Sequence, residues 1–145
     1  MNIRSSVSIL PLIRSIEDPF SKEIIHLWDD RKMQGKLYWF QKGKLPLGYI
    51  LMQEEGEINN IRGLYVVPEA RGKGIATKLL RKVCDIEDAR EVRVIVVNIT
   101  EGAENVYIRN KFKLLGKRKD FPDQIIAYRG ILTDSENQKI QKKLI

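Results

Sequence analysis

The stretch Pro68 to Leu80 reads PEARGKGIATKLL. A β-branched run stops at a proline, Gly72 and Gly74 follow with Arg71 and Lys73 beside them, and a leucine-rich segment opens at Ile75. A strand that passes into a helix through such a turn aims several backbone amides at one place, near the positive end of the helix dipole. Glycine has no Cβ to hold an anion off, and the two cationic side chains add charge. The chemistry this arrangement suits is the binding of a phosphate-bearing ligand, and the plain alternative is a solvated turn with surface lysines. Two phosphate signatures do not account for it. A Walker loop requires a hydroxyl residue after the lysine and a glycine where Val67 stands. A dinucleotide fingerprint matches Gly72 and Gly74 but meets Thr77 at its third glycine, and the strands before it form hairpins where a βαβ unit is needed.

The elements that must position this turn follow from periodicity. Val7 to Arg14 reads as a strand, and Asp18 to Asp30 as a helix with Phe20, Ile24, Leu27 and Trp28 on one face. Leu37 to Gln41 and Leu47 to Gln53 flank the turn KGKLP as a hairpin, and Glu57 to Val67 is a longer strand. Ile75, Ala76, Leu79, Leu80, Val83 and Cys84 recur at helical spacing, which predicts a helix from Gly74 to about Asp88. Val92 to Ile99 is a buried strand, and Ala103, Val106, Tyr107 and Asn110 share one side of a second helix. Strands near Lys113 to Lys117 and Ile125 to Ile131 come next, and Thr133 with Glu136 forms a capping-box pattern before a short basic helix. The order predicts a mixed α/β sheet of class α+β, with a parallel crossover from Val67 to Val92 and antiparallel hairpins elsewhere.

The 145 residues suit one domain, taken as 1–132 with a basic tail over 133–145. No apolar run reaches the roughly 18 residues of a membrane span, so we expect a soluble, cytoplasmic protein with no membrane partner. The single cysteine and single histidine, Cys84 and His26, cannot build a thiolate-rich zinc site, and no metal is expected. Residues 1–60 balance eight basic against eight acidic side chains, whereas residues 61–145 hold eighteen basic against eleven acidic and carry the whole excess of +7. That half of the chain favours an anion, either a phosphorylated cofactor or a nucleic acid.

The segment LYVVPEARGKGIATKLL, Leu64 to Leu80, resembles the acetyl-CoA motif of the GNAT superfamily of N-acetyltransferases, [RQ]-x-x-G-x-[GA], here Arg71, Gly74 and Ala76. AENVYIRNKF, Ala103 to Phe112, resembles a second motif of that family, A-x-x-x-Y-x-x-x-G-F, at the usual distance. The resemblance covers residues 57–131 well. It departs at Lys111, which stands for the usual Gly before Phe112, at Thr100, where Asn is common, and in a single short helix between the first two strands.

The resemblance implies a GNAT-like fold with a central sheet of about seven strands and helices on both faces, and an acetyl-CoA-dependent N-acetyltransferase acting on an amine of a protein or small molecule. It implies that Leu64, Tyr65 and Val66 offer backbone groups to the pantetheine arm, with Gly63 as a bulge site. The pyrophosphate would rest on Arg71, Gly72, Lys73, Gly74, Ile75, Ala76 and Thr77, and Thr100 and Asn105 would add contacts from the second motif. Tyr107 matches the tyrosine that returns a proton to the departing thiolate. Some members place a glutamate as base where this chain has Asn60, which cannot take a proton at neutral pH, so Glu57 acting through water is the substitute. The amine attacks the acetyl carbon directly, and no cysteine nucleophile is required. A catalytically silent module binding CoA or nucleic acid through its basic surface, including RNKFKLLGKRK and KIQKKLI, is the competing reading; it ranks lower because no nucleic-acid motif is present. A homodimer stays open beside a monomer.

Overall fold

The computed structural model describes residues 2–6, 35–43, 45–56, 58–88 and 94–145. The strand expected at 7–14, the helix expected at 18–30 and Glu57 lie outside them. Seven strands form one mixed sheet: β1 (Asn2–Ser6), β2 (Gly35–Lys42), β3 (Leu45–Glu55), β4 (Ile58–Val66), β5 (Val94–Thr100), β6 (Lys113–Lys117) and β7 (Gln124–Arg129). Their order across the sheet is β1-β2-β3-β4-β5-β7-β6. Among the described strands only β4 and β5 run parallel, joined by the crossover helix α1 (Ile75–Asp88); the other neighbours are antiparallel. A 3₁₀ turn over Pro68–Ala70 precedes α1, while α2 (Glu104–Arg109) links β5 to β6 and α3 (Asp134–Gln141) follows β7.

The period of two along β5 explains why its sequence is almost continuously β-branched. Ile95, Val97 and Ile99 enter the core under α1, and Val94 and Val96 enter a second core with Ile126 of β7 and with Ile140 and Leu144. A strand buried on both faces needs apolar residues at every position. On α1, Ile75, Leu79, Leu80 and Val83 are buried on the face turned to β2, β3 and β4, each worth about 1.5–3 kcal/mol of transfer free energy. Helices therefore cover both faces, as expected. None of them among the described residues is long and apolar enough to cross a membrane.

The capping box of α3 is formed: Glu136 N donates to Thr133 Oγ1 at 3.1 Å, and Thr133 N donates to Glu136 Oε1 at 2.9 Å. This fixes the start of the helix and directs Ile140 and Leu144 onto the sheet. Beyond α3 the chain runs along the outer side of β6. Leu144 bridges Arg118, Lys119 N donates to Lys143 O at 2.9 Å, and Ile145 N donates to Lys117 O at 3.0 Å.

Candidate active site

The site begins where β4 and β5 part. Their parallel pairing runs from Ile58↔Val94 to Ile61↔Val97 and stops, although β4 continues to Val66 and β5 to Thr100. Against β3, Leu51 pairs with Gly63 and Met52 with Ile61, so Arg62 is the extra residue of a bulge, next to the glycine expected there. A bulge bends its strand and increases its twist. Because this one falls at the last paired position, it turns the end of β4 away from β5. Leu64, Tyr65 and Val66 then have β3 on one side and, among the described residues, no strand on the other.

At the end of β4 the chain turns back to start α1. Gly72 and Gly74 have φ of +79° and +80°, values that cost an L-residue about 1–2 kcal/mol, and a Cβ at either would project into open space. Arg71 is tied to the strand it follows, with Nε donating to Val66 O at 2.9 Å and the guanidinium 5.5 Å from the Tyr65 ring centre. Lys78 N donates to Gly74 O at 3.1 Å and closes the first turn of α1. Earlier amides of that turn have no partner within the helix. Gly48 of β3 lets this region close, since a Cβ there would lie 2.8 Å from Tyr65 O.

The facing wall is α2. Ala103, Val106, Tyr107 and Arg109 complete a cleft of about 510 Å³ with Leu64 to Val66, Ala70 to Gly72, Gly74 and Ile75 to Thr77. Lys111 has φ +69°, and Phe112 N donates to Tyr107 O at 3.1 Å. This left-handed reversal folds Phe112 beneath Tyr107, ring centres 5.5 Å apart and nearly perpendicular at 82°. It also shows why glycine is usual at that place in the motif. Tyr107 is 6% exposed, and burial pushes its phenol well above its ordinary pKa. Among the described residues no hydrogen bond to its hydroxyl is present, and the residue lines the cleft.

The structure thus brings together Tyr107, Leu64, Tyr65, Val66, Arg71, Gly72, Gly74, Ile75, Ala76 and Thr77. Lys73, Thr100 and Asn105 are exposed and do not line the cleft. Thr100 follows the inward-facing Ile99 and so falls on the other face of β5, and Asn105 is two residues from Ala103, which turns it roughly 200° around the helix. Asn60 lies on β4 with its amide nitrogen buried and unbonded. Arg109, Val106, Ala103 and Ala70 are lining residues to which the sequence reading gave no part in the site, although it put Ala103 and Val106 on the helix face of Tyr107. Arg109 was detectable only as a basic residue two places after the tyrosine.

Residues 34–114 match the acetyltransferase (GNAT) domain family. The chain belongs to the GNAT acetyltransferases. It is an acyltransferase with the single-domain α+β fold of that family. Among solved structures it is similar to a Bacillus subtilis acetyltransferase in complex with CoA, with a TM-score of 0.71 and 14% identity over 90% of this chain and 98% of the other. It is similar to a GNAT acetyltransferase from Elizabethkingia anophelis with acetyl-CoA bound, with a TM-score of 0.64 and 17% identity over 90% and 99% of the two chains. The ribosomal-protein-S18-alanine N-acetyltransferase from Escherichia coli gives a TM-score of 0.67 at 12% identity over 92% and 97%. At these identities the likeness concerns the fold. No curated protein sequence matches significantly.

Proposed function

We propose that this GNAT protein transfers an acetyl group from acetyl-CoA to a primary amine by direct attack. The observation that carries the reading is the parting of β4 from β5 after Ile61 and Val97, which leaves the end of β4, among the described residues, with a free side at the mouth of a cleft walled by the glycine turn and Tyr107. The residues present fit the cofactor. Leu64 to Val66 offer main-chain groups to its amide-bearing arm, as an added strand would meet them. The turn from Arg71 to Thr77 suits its diphosphate, with Arg71 held ready by Val66 O.

When bound, acetyl-CoA supplies an activated thioester acyl group. Tyr107 presents a protonated phenol to the cleft, suited to returning a proton to the departing thiolate. The desolvation that raises the phenol would raise a thiolate formed beside it, so the two proton affinities move together. No carboxylate lines the cleft among the described residues, so the amine enters as its free base or loses its proton to water, with Glu57 as the candidate relay.

Calorimetry with acetyl-CoA and CoA tests the binding half of this reading; folded protein that binds neither would remove it. Arg71→Ala combined with Gly74→Glu should weaken binding. A panel of peptide N-termini, lysine peptides, polyamines and small amines, followed by thiol release, tests the transfer half and names the acceptor class.

A further inference from the structure

Much of the positive charge of this chain lies away from the cleft. RNKFKLLGKRK, residues 109–119, holds six basic residues and KIQKKLI, residues 139–145, holds three, and neither segment has an acidic one. Far apart in sequence, they meet in the fold. Lys119 N donates to Lys143 O at 2.9 Å, Ile145 N donates to Lys117 O at 3.0 Å, and Arg118 bridges Leu144 between them. Lys119 and Lys143 thus stand opposite each other on paired backbone, both exposed, with Lys117 beyond the first and Lys139 and Lys142 one helical turn or less before the second. None of these lysines lines the cleft. Lys117 has Glu101 at 3.6 Å and Arg118 has Asp120 at 3.9 Å; among the described residues Lys119, Lys139, Lys142 and Lys143 have no ion pair.

Like charges placed opposite each other on paired backbone repel, and the fold accepts that cost here with no carboxylate to offset it. An anion lying across the group would turn repulsion into attraction, and a chain of phosphates would do so along its length. The kind of anion follows from Phe121. Its ring is 49% exposed, and the Arg118 guanidinium stands 4.7 Å from its centre, held there by a hydrogen bond from Nη1 to Gln124 Oε1 at 2.9 Å. Such a ring adds nothing to the attraction for an acidic polypeptide, whereas an unpaired nucleobase stacks on it. We infer that the surface formed by residues 117–121 and the lysines at the end of α3 binds single-stranded nucleic acid, with phosphates along the lysines and a base on Phe121. This binding lies outside the cleft and is additional to acetyl transfer.

Fluorescence anisotropy on the full chain, with and without saturating CoA, tests it with labelled RNA and DNA strands of about twelve nucleotides, the corresponding duplex DNA, and polyglutamate. Single strands should bind, with log K falling linearly against log salt between about 50 and about 200 mM. Lys119→Gln combined with Lys143→Gln should lower that slope by about 1.4, for two phosphates at about 0.7 each. Phe121→Ala should weaken binding about tenfold and leave the slope unchanged. Melting curves confirm that each variant is folded, and CoA affinity should be unchanged in both. Tighter binding of RNA or of DNA names the source of the strand, and parity supports recognition by phosphate and stacking alone. No binding of either strand would overturn the inference, as would an unchanged slope in the lysine variant. Loss of binding on adding CoA would overturn it by putting the strand in the cleft. Polyglutamate or duplex bound as tightly as the single strands, with Phe121→Ala unaffected, would overturn it in favour of an acidic protein or double-stranded DNA.

Discussion

Replacing Tyr107 by phenylalanine separates chemistry from packing because the structure gives the ring and the hydroxyl different surroundings. The ring packs edge-on to Phe112 in the main core, and the hydroxyl has no hydrogen-bond partner among the described residues. Tyr107→Phe therefore keeps the ring contact and removes no hydrogen bond to any described residue. Its effect on stability should be near zero, whereas a hydroxyl bonded to a neighbour would be worth about 1 kcal/mol. If the phenol protonates the leaving thiolate, turnover should fall about 10²- to 10⁴-fold, the usual share of a positioned general acid, with CoA affinity changed little.

Titration adds a second signature. The folded-state pKa lies above the ordinary 10.0, so between that value and the folded pKa the native state holds a proton that the unfolded state has lost. Stability must then fall as pH rises above about 10, and it is unaffected below. Tyr107→Phe should show a shallower alkaline loss. Steady-state turnover, CoA calorimetry and melting between pH 7 and 11 suffice for the measurement. Turnover within about threefold of wild type in a folded, CoA-binding variant would refute the role in proton transfer.

Gly48→Ala forces a Cβ to within 2.8 Å of Tyr65 O, and main chain cannot give way there cheaply; denaturation should show a loss of about 1–3 kcal/mol, with weaker CoA binding because the end of β4 moves. Lys111→Gly relieves a left-handed residue at φ +69° and should raise stability by up to about 1 kcal/mol, after the strain of about 1–2 kcal/mol is offset by the freer unfolded chain. A lower melting temperature would contradict that. Thr133→Ala removes the cap of α3 and should cost about 1 kcal/mol, or about 2–4 °C in melting temperature, without altering CoA affinity.

Much of the fold was legible because burial imposes a period. The apolar stripe Ile75, Leu79, Leu80, Val83 announced α1, and the β-branched run announced β5, since the stretch Val94 to Val97 has a core on each side and the polar Asn98 and Thr100 come only where the strand meets solvent. β1 was not legible. Asn2, Arg4, Ser5 and Ser6 show no alternation, because an edge strand is defined by its partner β2 and not by its own pattern. In the site, the glycine turn could be read from composition, since φ near +80° leaves few residues to choose from. The parting of β4 and β5 could not be read from composition or period; only the family resemblance, with its bulge site at Gly63, implied it. The parting depends on a two-against-one mismatch at Arg62 that exists only once β3 and β4 are paired. Arg109 was hidden for a similar reason: nothing in RNKF distinguishes a basic residue facing a cleft from one facing water.

The pairing of residues 143–145 along β6 has a consequence for how this chain behaves among copies of itself. The outer side of β6 would otherwise present a row of free amides and carbonyls, and Leu114 beside it is 42% exposed. Such a row is a template for another extended chain. Ile145 N on Lys117 O occupies its end from within, Lys119 N on Lys143 O holds the same segment just past that end, and the bulge at Leu115 interrupts the rest. With Leu144 buried in the second core, this stop is fastened to the fold by an apolar side chain as well as by two hydrogen bonds. Clipping the chain after Gln141 would thus do more than thin a core; it would uncover a sticky border and turn a sheet that ends into one that can be extended by a neighbour.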